Sequence, residues 1–203
     1  IAHIAFIRGV DNEFGGLAVS ATGVGDLTVE IEDCRFHDNT SLDIEDTIGG
    51  GLYVNADEVS VMGSVFTDNH AGYAGGAAAL ECFSGLGAFT NNTVVRNTAG
   101  FGQPTDRGGI ILAANCTWEV ANNILWDNEG YDLSIRDGGA SLRNNNLDDL
   151  RGTPTASSGN LNVDPQFVSA GILRLRRSSP LIDAGLNETF LGLPMFSHDG
   201  GIR

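Results

Sequence analysis

The chain has 203 residues, enough to bury one continuous core without forcing a second domain. Its eleven basic residues are all arginine and face 26 acidic ones, for a formal charge of −15. That balance argues against nucleic acid, which needs clustered cations to displace counterions, and no run approaches the roughly 18 consecutive apolar residues of a transmembrane segment.

Taken in chain order, the first unit is IAHIAFIRG at 1 to 9. It returns without gaps as IEDCRFHDN at 31 to 39, VMGSVFTDN at 61 to 69, FTNNTVVRN at 89 to 97, VANNILWDN at 120 to 128 and LRNNNLDDL at 142 to 150. The steps between copies are 30, 30, 28, 31 and 22 residues. The first column reads Ile1, Ile31, Val61, Phe89, Val120 and Leu142, and the sixth reads Phe6, Phe36, Phe66, Val94, Leu125 and Leu147. Both are apolar throughout. Four successive copies end on asparagine, at Asn39, Asn69, Asn97 and Asn128. A second signature follows the first four copies, as GGLAV at 15 to 19, GGGLYV at 49 to 54, GGAAAL at 75 to 80 and GGIIL at 108 to 112.

A fixed period of this size marks a solenoid, propeller or array. The apolar runs are short, partly β-branched or aromatic, and fenced by Gly, Asn and Asp, which is a strand-and-turn pattern. Twenty-eight glycines would also weigh on a helical array, at up to about 1 kcal/mol for each interior Gly. The expected class is therefore all-β, a parallel β-solenoid of about six coils over residues 1–150. Residues 151–203 supply the final coil and a C-terminal capping segment in the same domain, with 161 to 196 folding over the last coil. Stacked coils turn each column into a ladder, with phenyl groups piled inside and asparagines pairing at a bend whose left-handed backbone they tolerate. Gly-Gly is expected to let the chain turn sharply into the next strand. The chain opens on Ile1 in the middle of a strand pattern, so it is expected to be a segment with a leader and earlier coils upstream, or with another copy stacked head to tail on its uncapped end.

The alternation of Gly-Gly-apolar runs with Phe36-His37-Asp38-Asn39 and Phe66-Thr67-Asp68-Asn69 resembles the paired motifs of the polymorphic outer-membrane protein repeats. The motif relaxes to Val94-Val95-Arg96-Asn97 and Leu125-Trp126-Asp127-Asn128, and the likeness covers about residues 1 to 150. NVDPQF at 162 to 167 and LRLRRSSPLIDAG at 173 to 185 resemble the closing segment of many bacterial β-helix proteins. The resemblance implies a right-handed parallel β-helix on the cell surface or outside a bacterium, adhesin-like or structural, with a polysaccharide or a cell-surface protein as partner. Likeness to the broader pectin-lyase-like fold implies the alternative of a polysaccharide lyase, hydrolase or epimerase, and a filament subunit is a third reading.

Where the repeat varies, it points to one corner. Inserts at 10 to 14, 40 to 48, 70 to 74 and 98 to 107 should project from the same corner of successive coils. Asp43, Glu45, Asp46, Asp106 and Arg107 would then flank a shallow trough floored near His70 and Tyr73, a place for a glycan or for calcium at the acidic loop. Solvated loop decoration is the plainer alternative, and no other cofactor and no catalytic residue is expected. TGVGDL at 22 to 27 is read as a turn. His3, His37, His70 and His198 fall in no metal or triad pattern, and Trp118 and Trp126 are expected to pack in or beside the core. Cys82 and Cys116 would bridge if their coils are neighbours, with buried free thiols the simpler expectation for all three cysteines.

Overall fold

A computed structural model of the chain describes residues 1–20, 27–43, 48–100, 108–113 and 115–186. β1 (Ala5–Ile7), β2 (Val10–Asp11), β3 (Leu17–Ser20) and β4 (Thr28–Glu32) form the first turn. β5 (Arg35–His37), β6 (Thr40–Ser41), β7 (Leu52–Ala56) and β8 (Glu58–Met62) repeat it. So do β9 (Val65–Thr67), β10 (His70–Ala71), β11 (Ala78–Cys82) and β12 (Leu86–Thr90), and then β13 (Thr93–Val95), β14 (Thr98–Ala99), β15 (Ile110–Ala113) and β16 (Thr117–Ala121). The next turn keeps β17 (Ile124–Trp126), β18 (Leu133–Ile135) and β19 (Gly139–Arg143), and the last keeps β20 (Leu150–Arg151) and β21 (Ala156–Ser158). β22 (Phe167–Ser169) and β23 (Ile172–Leu175) close the order as an antiparallel hairpin.

Equivalent strands stack in parallel. One sheet runs β1-β5-β9-β13-β17, a short corner sheet runs β2-β6-β10-β14, and two six-stranded sheets run β3-β7-β11-β15-β18-β20 and β4-β8-β12-β16-β19-β21. The architecture is the expected all-β parallel solenoid, but the coils are not six equal ones: four turns carry all four strands and the last two lose some. The cause is visible in the spacing. The step from Val120 to Leu142 falls to 22 residues, which leaves no room for a corner strand.

The columns stand in the expected register. Phe6 pairs with Phe36, Phe36 with Phe66, Phe66 with Val94 and Val94 with Leu125. Phe6 and Phe36 stack with ring centroids 5.0 Å apart, and Phe36 and Phe66 with centroids 4.7 Å apart. The companion column Ile31, Val61, Phe89, Val120, Leu142 is equally continuous and buried. Burying each such side chain contributes about 1.5–3 kcal/mol, and the alternate residues of every strand face outward.

The asparagine ladder forms, with one correction. Asn39 Nδ2 donates to Asn69 Oδ1, Asn69 to Asn97 and Asn97 to Asn128, each at 2.9 Å, and the three donor side chains are fully buried. The left-handed backbone lies one residue earlier, at Arg8, Asp38, Asp68, Arg96 and Asp127, with φ of 57° or 58°. The asparagine is thereby free to point inward, while the strained position falls on an outward side chain. A second, unexpected ladder joins Asn92, Asn123, Asn145 and Asn160 through amide bonds of 2.9 to 3.2 Å. Its signal is the Asn-Asn pair at 91–92, 122–123 and 144–145, where the first Asn takes the left-handed φ and the second turns inward.

The first glycine of two runs makes the expected turn, Gly49 with φ of 84° and Gly75 with φ of 65°, and the one that follows is there for a different reason. A Cβ on Gly50 would lie 2.3 Å from the His70 carbonyl oxygen, and one on Gly76 would lie 2.1 Å from that of Thr98. Neither residue has positive φ; the glycine is required because one coil passes directly against the corner strand of the next. Cys82 and Cys116 are joined in a disulfide with Cα atoms 5.5 Å apart, so the free-thiol expectation holds for buried Cys34 alone. The bridge is possible because a separation of 34 residues is close to one turn, which brings the two onto neighbouring coils.

Asp132 ends the first ladder. Its Oδ1 accepts from Asn128 Nδ2 at 2.8 Å and its Oδ2 accepts from the Asp148 N–H at 2.9 Å, while only 2% of the residue is exposed. Burial pushes its carboxyl above the usual value, outweighing these hydrogen bonds. A raised folded-state value stabilises the protein below the ordinary carboxylate range and loses that contribution as pH rises through the raised value. The expected result is that Asp132→Asn gains melting temperature relative to the parent as pH rises from about 4 toward neutrality. A melting difference that stays constant across this range would contradict the assignment.

The segment expected to cap the last coil starts on it, where the Leu147 N–H donates to the Leu161 carbonyl and the Val163 N–H to Asn146 Oδ1, each at 3.0 Å, and its described part then turns back along the stack. Asn122 Oδ1 accepts from the Leu186 N–H at 2.7 Å, and Asn144 Nδ2 donates to the Ala184 carbonyl at 2.9 Å. Ala170, Gly171 and Leu173 of the hairpin stand beside Arg35, His37 and Val65. The segment thus runs back along the outer flank of the β1-β5-β9-β13-β17 sheet. Outward-facing apolar residues there, Val65, Val95, Ile124 and Trp126, give it a surface to cover, and Val95 is only 2% exposed.

Candidate functional site

Two outward faces hold the polar residues that could carry a function. The corner comes first. Val10, Thr40, His70 and Thr98 form one register column, in which His70 Nδ1 lies 2.8 Å from Thr98 Oγ1. Asp43 is exposed beyond β6, and its N–H donates to the Asn12 carbonyl at 3.0 Å. Tyr73 is half-buried and packs with Ile48 and Tyr53 against a small apolar cluster of Ala74, Ala79, Ile111 and Ala113. Glu45, Asp46, Asp106 and Arg107 lie outside the described residues, as do residues 22–26 of the TGVGDL turn.

That cluster belongs to the outward face of β3, β7, β11 and β15, next to the corner. Leu52, Val54 and Ala56 enter the core, so Tyr53 and Asn55 of β7 point out; likewise Glu81 points out from between Leu80 and Cys82 of β11. Tyr53 stacks on Phe14 with centroids 4.9 Å apart and planes at 17°. Its hydroxyl donates to Glu81 Oε2 at 3.1 Å, and Asn55 Nδ2 donates to the same oxygen at 2.8 Å and to the Tyr53 hydroxyl at 3.3 Å. Burial first, and then the charge of Glu81, hold the Tyr53 phenol above its ordinary value against the opposing effect of the Asn55 bond. The phenol therefore stays protonated and donating at neutral pH. Sequence reasoning passed over this trio because it attended to the loops. Its signal is the alternation of the Gly-Gly strands, where GLYVN and AALE place a tyrosine, an amide and an acid at outward positions of adjacent coils.

The other face is a cleft of about 360 Å³ between the hairpin and the flank of β5 and β9, lined among others by Asp33, Arg35, His37, Asp68 and Arg96. Arg96 grips Asp68 in a two-point pair, both bonds 2.8 Å. His37 Nδ1 lies 2.9 Å from Thr67 Oγ1 and 3.5 Å from Asp68 Oδ2. A proton relay sets nucleophile and acid on opposite ring nitrogens. Here both face Nδ1 and Thr67 is only 3% exposed, so the group braces the flank. Trp118 is fully buried in the core and Trp126 is half-buried. Among the described residues no group of three or more His, Cys, Asp or Glu is placed to hold a metal ion, and no helix is long and apolar enough to cross a membrane.

Parallel strands stacked turn upon turn around an apolar pile, with amide ladders at the bends, define the β-helix class. The family model for the right-handed β-helix region matches residues 9–147, and the chain belongs to that family. Comparison with curated proteins and with solved structures gives no match. The family describes an architecture, so activity has to be argued from the outward faces.

Proposed function

We propose that this β-helix is an extracellular or cell-surface module that binds a glycan, without cleaving it, through the outward face of β3, β7, β11 and β15 and the loop corner beside it. The observation that carries this reading is the stacked Phe14–Tyr53 pair set against the Tyr53–Asn55–Glu81 hydrogen-bonded trio. A sugar ring presents an apolar face edged with hydroxyls, and it is met by an aromatic surface with a few fixed polar groups. Cleavage by the usual glycosidase route needs two carboxylates on either side of the bond. Among the described residues, the outward side chains of these four strands supply one, Glu81. The Cys82–Cys116 disulfide suits an oxidising compartment, and the likeness to the polymorphic outer-membrane repeats points the same way. Calcium held by the acidic insert of Asp43, Glu45 and Asp46 is part of the proposal.

A glycan array with and without calcium tests it. Retention of a defined saccharide is expected, and Tyr53→Ala should weaken it about tenfold or more, the scale of a lost aromatic contact of about 1–1.5 kcal/mol. Retention untouched in Tyr53→Ala would remove this face from the reading.

A further inference from the structure

We infer that the glycan taken by this face carries a free amino group, as in an oligomer of de-acetylated hexosamine. The inference rests on the glycan reading above and names its ligand class. Both hydrogen bonds that Glu81 receives from described residues end on Oε2, one from Tyr53 and one from Asn55. They fix the carboxylate and leave Oε1 to accept from a ligand. Among the described residues no cation forms an ion pair with Glu81, and Arg136, the nearest arginine of its column, stands two coils on beyond Ala113. A half-buried carboxylate without an ion-pair partner costs solvation that an ammonium restores. The chain as a whole carries −15, so uronate or sulfated chains are repelled and a cationic saccharide is drawn in.

Calorimetry with three oligomers of equal length, glucosamine, N-acetylglucosamine and galacturonate, tests this in mildly acidic buffer at physiological and at raised salt. The glucosamine oligomer is expected to bind about tenfold tighter than its acetylated form, with no binding of galacturonate, as one partly desolvated ion pair provides. Glu81→Gln should abolish the preference, and Glu81→Asp should keep part of it. Glu30→Gln, the same charge change on the exposed side of β4, should leave it intact and so separates a specific contact from general attraction. A melting curve on each variant confirms folding. If the acetylated oligomer binds as well as the amine, or Glu81→Gln keeps the preference, this inference fails while the glycan reading stands. If none of the three oligomers binds while the array retains another saccharide, this inference alone fails; if the array retains nothing either, both fail.

Discussion

Replacing Asn69 with alanine is expected to cost about 4 kcal/mol of unfolding free energy, since four buried hydrogen bonds are lost at about 1 kcal/mol each, while Asn39 Nδ2 keeps the Phe6 carbonyl and Asn97 Oδ1 keeps the backbone N–H of residue 69. Asn69 Oδ1 accepts from the Asn39 N–H and from Asn39 Nδ2, while Asn69 Nδ2 donates to the Phe36 carbonyl and to Asn97 Oδ1. All of this lies in the interior, with Asn39, Asn69 and Asn97 fully buried. Aspartate does not rescue the site, because the donating edge becomes an acceptor that faces two oxygens. Asn128 makes the same kind of bonds at a half-buried position, so Asn128→Ala should cost clearly less. Urea titration of both variants decides the matter. Equal losses would show that the ladder is not a buried network.

The second large effect is expected at Phe66. Its ring is fully buried, stacks on Phe36 with centroids 4.7 Å apart and leans on Phe89 at 6.2 Å. Phe66→Ala should cost about 3–5 kcal/mol, the transfer of the ring plus the cavity that the coils above and below hold open. Phe6 belongs to the same column but sits half-exposed on the first described turn, so Phe6→Ala should cost much less. Denaturant midpoints for the pair test the gradient. A loss at Phe6 as large as at Phe66 would mean that the pile is not continuous.

The fold was legible in the sequence because its stability is written in columns. A residue that sits over its equivalent, coil after coil, must be apolar inside or amide at the bend, and Phe6, Phe36, Phe66 and the four asparagines show it directly. The second ladder was written as plainly in Asn91-Asn92 and Asn122-Asn123, but its meaning depends on which Asn turns inward, a matter of backbone φ that letters do not carry. The disulfide needed knowledge of which coil ends meet. Asp132 stands where the repeat has shortened, so no column announces it. The hairpin's course along the flank depends on the outward apolar residues of a different sheet, which local patterning does not connect to it.

The candidate site was less legible for a related reason. Loop inserts drew attention to Asp43, Glu45, Asp46, His70, Tyr73, Asp106 and Arg107, and the described members among them border the Tyr53 face through Tyr73. The groups with the most developed geometry, Tyr53, Asn55 and Glu81, occupy ordinary outward strand positions. Only the pairing of β7 with β11 sets Asn55 opposite Glu81 and brings the tyrosine two residues earlier within reach of the same carboxylate.

The most direct test is an amide chemical-shift map of the isotopically labelled chain during titration with the saccharide best retained on the array. The account predicts shifts concentrated at Tyr53, Asn55, Ala79, Glu81 and Ile111, with Asp33, Arg35, His37 and Arg96 in the flank cleft unmoved. Shifts centred on that cleft, with the Tyr53 face silent, would contradict it.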